Sequence, residues 1–210
     1  MPHQFAKIAF TPNVQRVQEL YGSRQQYERV AEQGPGHDRF GPNEEEFIQS
    51  RDGIYVASVG ETGWPYVQFR GGAQGFLKVI DEKTLGFADF RGNRQYISVG
   101  NGKANDRVAL FLMDYPTQTR LKILGRVEML DAAARPDLVA QLAVSGYHAK
   151  VERVILIYLA AFDWNCQQHI TPRWNQEESG KMLEPLQRRL AELEAENKLP
   201  VSYTHLRAHE

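Results

Sequence analysis

The stretch RLKILGRVEM, residues 120–129, alternates between apolar and polar side chains. One face takes the odd-numbered positions, which are Leu121, Ile123, Gly125, Val127 and Met129. The other face takes the even-numbered positions, which are Arg120, Lys122, Leu124, Arg126 and Glu128. A period of two residues is typical of a β-strand that buries one face. This stretch therefore predicts a strand of an antiparallel sheet.

Short strands are also predicted on both sides of this stretch. Their bounds are Ile54–Val59, Tyr66–Arg70, Phe76–Ile80, Thr84–Ala88, Val108–Met113 and Val151–Phe162. Val108–Met113 is continuously apolar, so we expect it to be buried on both faces. Six or seven short strands joined mostly by tight turns favour a closed or nearly closed antiparallel barrel over a βαβ sheet.

Helices are predicted around this barrel, which makes the fold class mainly β with flanking helices (α+β). The predicted helices are Asn13–Gln33 with a break at Gly22, a short helix from Asn43, Asn93–Val99, Pro136–Ser145 capped by Gly146, and Lys181–Lys198 with Pro185 in its first turn. Leu183, Leu186, Leu190 and Leu193 form a stripe on the last helix. Packing on the chain's own barrel is the favoured interpretation of that stripe, and a dimer contact is the alternative.

Composition excludes several classes of protein. The chain has 210 residues, 42% of them hydrophobic, and a net charge of −1, which argues against a dedicated nucleic-acid-binding protein. Its longest apolar run, Val154–Phe162, is far below the roughly 20 residues that span a membrane, and no secretory signal is expected. A single cysteine, Cys166, excludes an internal disulfide, and we expect it to be structural rather than catalytic. A cytoplasmic location is therefore expected.

Basic and amide side chains gather at the ends of the predicted strands. They are Arg70, Lys78, Arg91, Asn93, Arg94, Gln95 and Arg120. The glycine-rich phosphate motifs, a zinc-type Cys/His cluster and a nucleophile elbow are absent from the sequence. Two or more Arg or Lys side chains, with N–H groups from a helix start at Gly92-Asn93, form the type of site that binds phosphate. The residues therefore indicate an anion site, with ordinary solvated surface charge as the alternative.

Four blocks of sequence resemble the pyridoxamine 5′-phosphate oxidase-like family of FMN-binding split β-barrels. The blocks are GFLKVID (75–81), GFADFRGNRQ (86–95), NDRVALF (105–111) and TRLKILGRVE (119–128). Their order and spacing agree with the family, and the resemblance from Ile54 to Met129 covers roughly half of the chain. It implies a split antiparallel β-barrel and a homodimer with FMN at the subunit interface.

The resemblance also implies roles for individual residues. The strand that carries Lys78 would line the isoalloxazine, and Ala88 and Asp89 would lie along it. The phosphate would be held by Asn93, Arg94 and Gln95, and Arg70 belongs to the same basic group. Arg120 would contact the flavin, in one arrangement from the partner subunit. The residues expected to close over the cofactor are His169, Arg173 and Trp174.

Two departures from the family argue against oxidation of pyridoxamine phosphate itself. The family's C-terminal Arg-x-His motif is absent, and Pro136–Tyr147 offers Ser145 but no arginine for a substrate phosphate. We therefore expect an FMN-dependent oxidoreductase for another small-molecule substrate, with reduced nicotinamide or oxygen as its electron partner. The alternatives are a flavin carrier or sensor without turnover, and a degenerate barrel that binds haem or a deazaflavin-type cofactor.

The expected organisation has four parts. An N-terminal helical segment covers residues 1–40, and the split-barrel FMN-binding domain covers 41–165. A C-terminal loop and helix follow over 166–200. Residues 201–210 do not continue the leucine stripe, so we expect a non-native or disordered tail there, in spite of the two histidines His205 and His209.

Overall fold

Seven antiparallel strands form the centre of the protein. The computed structural model describes residues 2–144, 146–147, 149–164 and 167–198, so Ser145, Cys166 and the tail over 201–210 lie outside the described residues. The strands are β1 (Gly53–Val59), β2 (Pro65–Gly71), β3 (Lys78–Asp81), β4 (Thr84–Phe90), β5 (Arg107–Asp114), β6 (Thr119–Asp131) and β7 (Val151–Trp164). Their order in the sheet is β2-β1-β5-β6-β7-β4-β3.

The alternation predicted over residues 120–129 is confirmed in β6. Leu121 and Ile123 are buried, whereas Arg126 and Glu128 are exposed. β6 pairs with β5 on one side and with β7 on the other, and the pairing with β7 runs from Leu121↔Trp164 to Asp131↔Arg153. β6 is therefore a central strand whose alternation places one face in the core.

The sheet curls so that its two ends approach each other. Arg70 on β2, at one end of the strand order, makes an ion pair of 2.6 Å with Asp89 on β4, next to the other end. Within the described residues no ladder of hydrogen bonds joins β2 to β3. An antiparallel sheet that curls without closing is a split barrel, as the sequence predicts.

Side chains from six of the strands fill the barrel. The fully buried members include Ile54, Leu77, Leu85, Leu110, Leu112, Leu121, Ile123 and Ile157. A smaller apolar cluster lies outside the barrel, where Leu138 and Leu142 pack on Ala88, Val154 and Leu156. β4 and β7 therefore bury apolar side chains on both faces.

One strand prediction is wrong in its burial. β5 buries Val108, Leu110 and Leu112, but Arg107 and Phe111 on its other face are exposed. A continuously apolar sequence does not distinguish a strand covered on both faces from one that leaves an apolar face uncovered. β5 therefore leaves an apolar face, with Phe111, open.

The described residues also form helices, and several of their bounds differ from the predictions. They are α1 (Gln4–Ala9), α2 (Pro12–Leu20), α3 (Arg24–Gln33), α4 (Pro42–Gln49), α5 (Ile97–Ala104), α6 (Pro136–Leu142) and α7 (Gln176–Lys198), with one 3₁₀ turn at Ala132–Ala134. The break at Gly22 is confirmed, and φ there is +73°. Helix α6 ends at Leu142, so Gly146 is not its cap.

Three helix starts were predicted incorrectly. Helix α4 begins at Pro42, and Gly41 N–H donates to the Glu44 carboxylate at 2.9 Å, so Asn43 is not the cap. Helix α5 begins at Ile97 and not at Asn93. Helix α7 begins at Gln176, which places Pro185 inside the helix rather than in its first turn.

The chain divides into two compact units. The first is Met1–Ile170, and it contains the barrel and α1 to α6. The second is Thr171–Glu210, in which α7 leaves its four stripe leucines exposed. Among the described residues, no helix is both long enough and apolar enough to cross a membrane.

Gly125 provides a test of packing between β6 and β7. A Cβ at this position would lie 2.8 Å from Ile157 Cγ2 and 2.8 Å from the Tyr158 carbonyl oxygen. Backbone cannot move aside cheaply, so we expect Gly125→Ala to lower the free energy of unfolding by about 1–3 kcal/mol. Urea denaturation measures this change.

Gly100→Ala is the matched control. Gly100 is an exposed position in α5, and a Cβ there would have nothing within 4 Å. Because alanine favours a helix, we expect this variant to gain about 0.5–1 kcal/mol. Equal loss of stability in both variants would contradict the close approach at Gly125.

Candidate functional site

A polar cavity of about 210 Å³ lies where β2, the loop after β4 and the start of β7 meet. β2 presents Tyr66, Gln68 and Arg70 to it, whereas Val67 and Phe69 point to the opposite, exposed face. The alternation of β2 is therefore the local reason why Arg70 faces the cavity. Arg94 and Arg153 also line it.

The loop from Arg91 to Tyr96 wraps one side of this cavity. Arg94 has φ +63° and Tyr96 has φ +54°, and the Asn93 side chain accepts a hydrogen bond from Gln95 N at 3.2 Å. These left-handed residues stop a helix from forming at Asn93, which explains why the predicted helix start is wrong. The first residues of α5 still line the cavity, since Ile97, Ser98 and Val99 belong to its wall.

A buried carboxylate stands behind the cavity. Asp89 is 1% exposed and accepts from Arg70 Nη1 at 2.6 Å and from Arg153 Nε at 3.0 Å. Burial alone would lower the pKa of Arg153, but the hydrogen bond and charge of Asp89 outweigh it and raise that pKa. Asp89 therefore fixes the direction of two arginines at the cavity wall.

A second carboxylate connects the remaining arginines. Glu152 accepts from Arg153 at 3.1 Å and from the Tyr96 hydroxyl at 3.4 Å, and it lies 3.6 Å from Arg91 Nε. Arg94 Nε donates to the Tyr96 hydroxyl at 3.4 Å, which raises the pKa of Arg94. Tyr96 thus links the exposed Arg94 to the Glu152 group.

The charges of this group do not cancel. Arg70, Arg91 and Arg153 pair with two carboxylates, Asp89 and Glu152, and a fourth arginine, Arg94, is linked to Glu152 through Tyr96. The excess of two positive charges equals the charge of a phosphate dianion. The donor set consists of guanidinium, amide and hydroxyl groups, which is the chemistry that holds phosphate.

A second cavity of about 220 Å³ adjoins the first and has aromatic walls. Arg70, Phe90 and Gly92 line both cavities. The second cavity adds Phe69, Phe76, Phe87 and Tyr147, together with Ala88 and Asp89. A polar cavity beside an aromatic one can receive a ligand with an anionic group at one end and a flat apolar body.

The structure brings together only some of the residues predicted for the site. Those at the two adjoining cavities are Arg70, Ala88, Asp89, Asn93, Arg94 and Gln95. Lys78 instead donates to the carbonyl oxygens of Gln141 and Ala143, at 2.9 Å each, at the end of α6. Arg120 lies over the ring of Phe111, 5.0 Å from its centroid, and lines a different cavity.

The C-terminal residues of the prediction are divided between the two units. His169 is exposed, with φ +65°, in the first unit. Arg173 and Trp174 belong to the second unit, Thr171–Glu210, and Trp174 is half exposed there. Their predicted role over a cofactor stays a prediction.

Sequence reasoning missed Arg153, Tyr96, Gln68 and Ser98 as part of the site. Arg153 lies opposite Asp89 in the β4–β7 ladder, and the Ser98 hydroxyl bonds to the Gln68 side chain at 2.5 Å. The available signal for Arg153 is its position among the apolar residues of β7. Recognising it requires the register of two strands that lie far apart in the chain.

Comparison with known proteins provides the family. The family model described as pyridoxamine 5′-phosphate oxidase matches residues 40–165. No curated protein matches the chain.

Among solved structures, HupZ from Group A Streptococcus is 15% identical, with a TM-score of 0.46 over 64% of this chain and 99% of its own. A Clostridium acetobutylicum protein related to general stress protein 26, of the pyridoxinephosphate oxidase family, is 16% identical, with a TM-score of 0.44 over 61% and 88%. An F420 reductase is 22% identical, with a TM-score of 0.41 over 59% and 98%.

These three TM-scores are below 0.5, so the assignment depends on the family model and on the chain's own sheet. The matched residues, 40–165, include all seven strands and every residue that lines the two cavities next to Arg70. The match covers more than half of the chain. The chain belongs to the pyridoxamine 5′-phosphate oxidase family, whose fold is of the flavin-binding oxidoreductase type.

Proposed function

We propose that this protein is an FMN-dependent oxidoreductase that acts on a small-molecule substrate as a homodimer. The observation that carries the proposal is the group of four arginines around two carboxylates, in a chain of this family. An excess of two positive charges matches the 5′-phosphate of FMN, and the adjoining aromatic cavity suits its ring. Bound FMN would supply the transfer of electrons to or from the substrate.

Each residue of the polar cavity has a distinct part in this proposal. Arg94 is exposed, and among the described residues its side chain has one hydrogen bond, to Tyr96, so it is the arginine most available to a phosphate. Arg70 and Arg153 are fixed by Asp89 and would form the rigid side of the site. Asn93 and Gln95 would donate amide hydrogen bonds, and the N–H groups at the start of α5 would add to them.

The second cavity would hold the flat part of the cofactor. Phe76 and Phe87 pack edge to face, with centroids 6.1 Å apart, and form an apolar wall beside Asp89. Such a wall excludes water from one side of a flat ring and leaves the other side to a substrate. We propose a reduced nicotinamide as the electron donor.

An exposed row of aromatic rings supports the homodimer. Tyr55 pairs with Phe69 and with Phe111 in the strand register, so three rings lie side by side across β2, β1 and β5. Phe69 is 59% exposed, and Val67 beside it is also exposed. Contiguous apolar surface of this kind is typical of a protein contact. Arg120 lies over Phe111, so a second subunit on this row would meet Arg120.

Arg94→Ala tests the phosphate assignment. The substitution removes the guanidinium but keeps a Cβ, so the left-handed backbone at residue 94 carries similar strain in both proteins. Loss of a charge-assisted hydrogen bond predicts a rise of about 10- to 100-fold in the Kd for FMN. Quenching of flavin fluorescence on titration measures it.

Arg126→Ala is the matched control for charge. Arg126 is an exposed arginine on β6, paired with Asp106 at 2.7 Å, and it lines neither cavity. We expect this variant to bind FMN as the unchanged protein does. An equal loss of FMN affinity in both variants would show that the overall charge of the protein causes the effect. It would contradict a phosphate site at Arg94.

Phe69→Lys tests the homodimer. A lysine at the β2 end of the aromatic row would place an uncompensated charge in each half of a two-fold contact, so we expect a monomer. Sedimentation velocity measures the mass. Leu20→Lys, at a similarly exposed apolar position on α2, should leave the mass unchanged. A Phe69→Lys protein that remains dimeric would contradict a dimer contact at the aromatic row.

Reaction with reduced nicotinamide tests turnover. We expect NADH or NADPH, added without oxygen to the FMN-loaded protein, to bleach its visible flavin absorbance, and air to restore it. Retention of FMN through this cycle distinguishes an enzyme from a carrier. A flavin that stays oxidised with both donors would favour the carrier or sensor.

A further inference from the structure

Three side chains with metal-ligand atoms meet at the end of β7 far from Arg153. They are His3, just before α1, His37, in the loop after α3, and Asp163, near the end of β7. One ligand atom from each lies within 4.8 Å of the other two. The three come from segments that are distant in sequence, so the fold creates the cluster.

The two histidines are held in place by packing on each other and on Phe162. His3 is 5% exposed, and its ring contacts the His37 ring edge to face, with centroids 4.6 Å apart. His37 stacks on Phe162, and its Nδ1 is buried without a hydrogen-bond partner in the described structure.

Asp163 is oriented by a neighbour. Its Oδ2 accepts from Lys122 Nζ on the adjacent strand, and its Oδ1 lies 3.6 Å from His3 Nε2. One carboxylate oxygen is therefore engaged, and the other is directed towards the histidines. A carboxylate that binds a metal ion is typically held by such a hydrogen bond from a neighbouring side chain.

A cavity of about 500 Å³ lies beside the cluster. His3, Lys122 and Asp163 form part of its wall, with Phe5 and Trp164 among the apolar residues. Three protein ligands beside a cavity leave a fourth position for water or another small ligand, which is the arrangement of catalytic rather than structural zinc sites.

We propose that His3, His37 and Asp163 bind a divalent transition-metal ion of the Zn²⁺ type. Ligand atoms around tetrahedral zinc lie about 3.4 Å apart, given bonds near 2.0–2.1 Å. The His3–Asp163 pair is already at 3.6 Å, so His37 is the residue that must approach by roughly 1 Å. Imidazole nitrogen suits zinc and does not suit Mg²⁺, which prefers oxygen ligands.

Two contacts within the protein oppose metal binding, and each one can be tested. His3 Nδ1 accepts from Ala6 N at 3.4 Å, and ligation through Nε2 transfers the ring proton to Nδ1, so this contact at the start of α1 is lost. The Lys122 ammonium repels a cation near Asp163. Removal of that ammonium should therefore strengthen metal binding, an effect that a purely structural cluster would not produce.

The test is Zn²⁺ titration by calorimetry on the full chain. His205→Gln and His209→Gln are introduced first, because these two histidines, spaced four residues apart, could bind zinc by themselves. In this background we expect one equivalent of Zn²⁺ to bind and Mg²⁺ not to bind. His37→Gln and Asp163→Asn should each weaken Zn²⁺ binding at least tenfold, whereas His169→Gln, at an exposed position, should leave it unchanged.

Lys122→Gln gives the opposite sign. We expect a Kd for Zn²⁺ severalfold lower than in the background protein, because a like charge has been removed. Circular dichroism identifies any variant that fails to fold. If His37→Gln or Asp163→Asn fails to fold, His3→Gln replaces that variant. The proposal is overturned if zinc binding disappears with His205 and His209, or if the His37 variant binds zinc as before. Neither result depends on FMN, so the proposed function is tested separately.

Discussion

The carboxylate of Asp89 is the group on which the split barrel and its polar cavity both depend. It joins β4 to Arg70 on β2 and to Arg153 on β7, and it is nearly inaccessible to water. A buried charge is costly unless it is fully paired, and removal of one partner from such a group typically costs about 3–5 kcal/mol. The same bonds that bring the two ends of the strand order together therefore also direct two arginines into the cavity. Stability and ligand recognition share one set of contacts here.

The sheet explains why the site has one rigid and one adjustable side. β4 and β7 are covered on both faces, so Asp89 and Arg153 start from fixed backbone. Arg94 stands on a loop with two left-handed residues and contacts only the Tyr96 hydroxyl among its described hydrogen bonds. Under the proposed function, the phosphate would meet preorganised guanidinium groups on one side and order Arg94 on the other, which would limit the entropy lost on binding to one long side chain.

Local sequence patterns were sufficient for the strands and insufficient for the contacts between them. Alternation over residues 120–129 predicts β6 because burial of one face determines it, and the glycine at 22 predicts a helix break because only its backbone takes φ +73° easily. Arg153 escaped notice because its partner Asp89 lies 64 residues earlier, in a strand whose register sequence does not show. The apolar run of β5 was misread because a strand covered on both faces and a strand with an exposed apolar face can have the same sequence pattern.

The two ends of β7 give one strand two kinds of chemistry. At its start, Glu152 and Arg153 belong to a group with excess positive charge, suited to an anion. Near its end, Asp163 meets two histidines, a donor set suited to a cation. A sheet carries only a small net dipole, so neither end is favoured by the backbone, and the difference arises from side chains alone. The N-terminal segment contributes His3 and His37 to the second group, and none of its described residues lines the polar cavity. Residues 1–40 therefore contribute to the barrel at the end of β7 that lies away from the polar cavity.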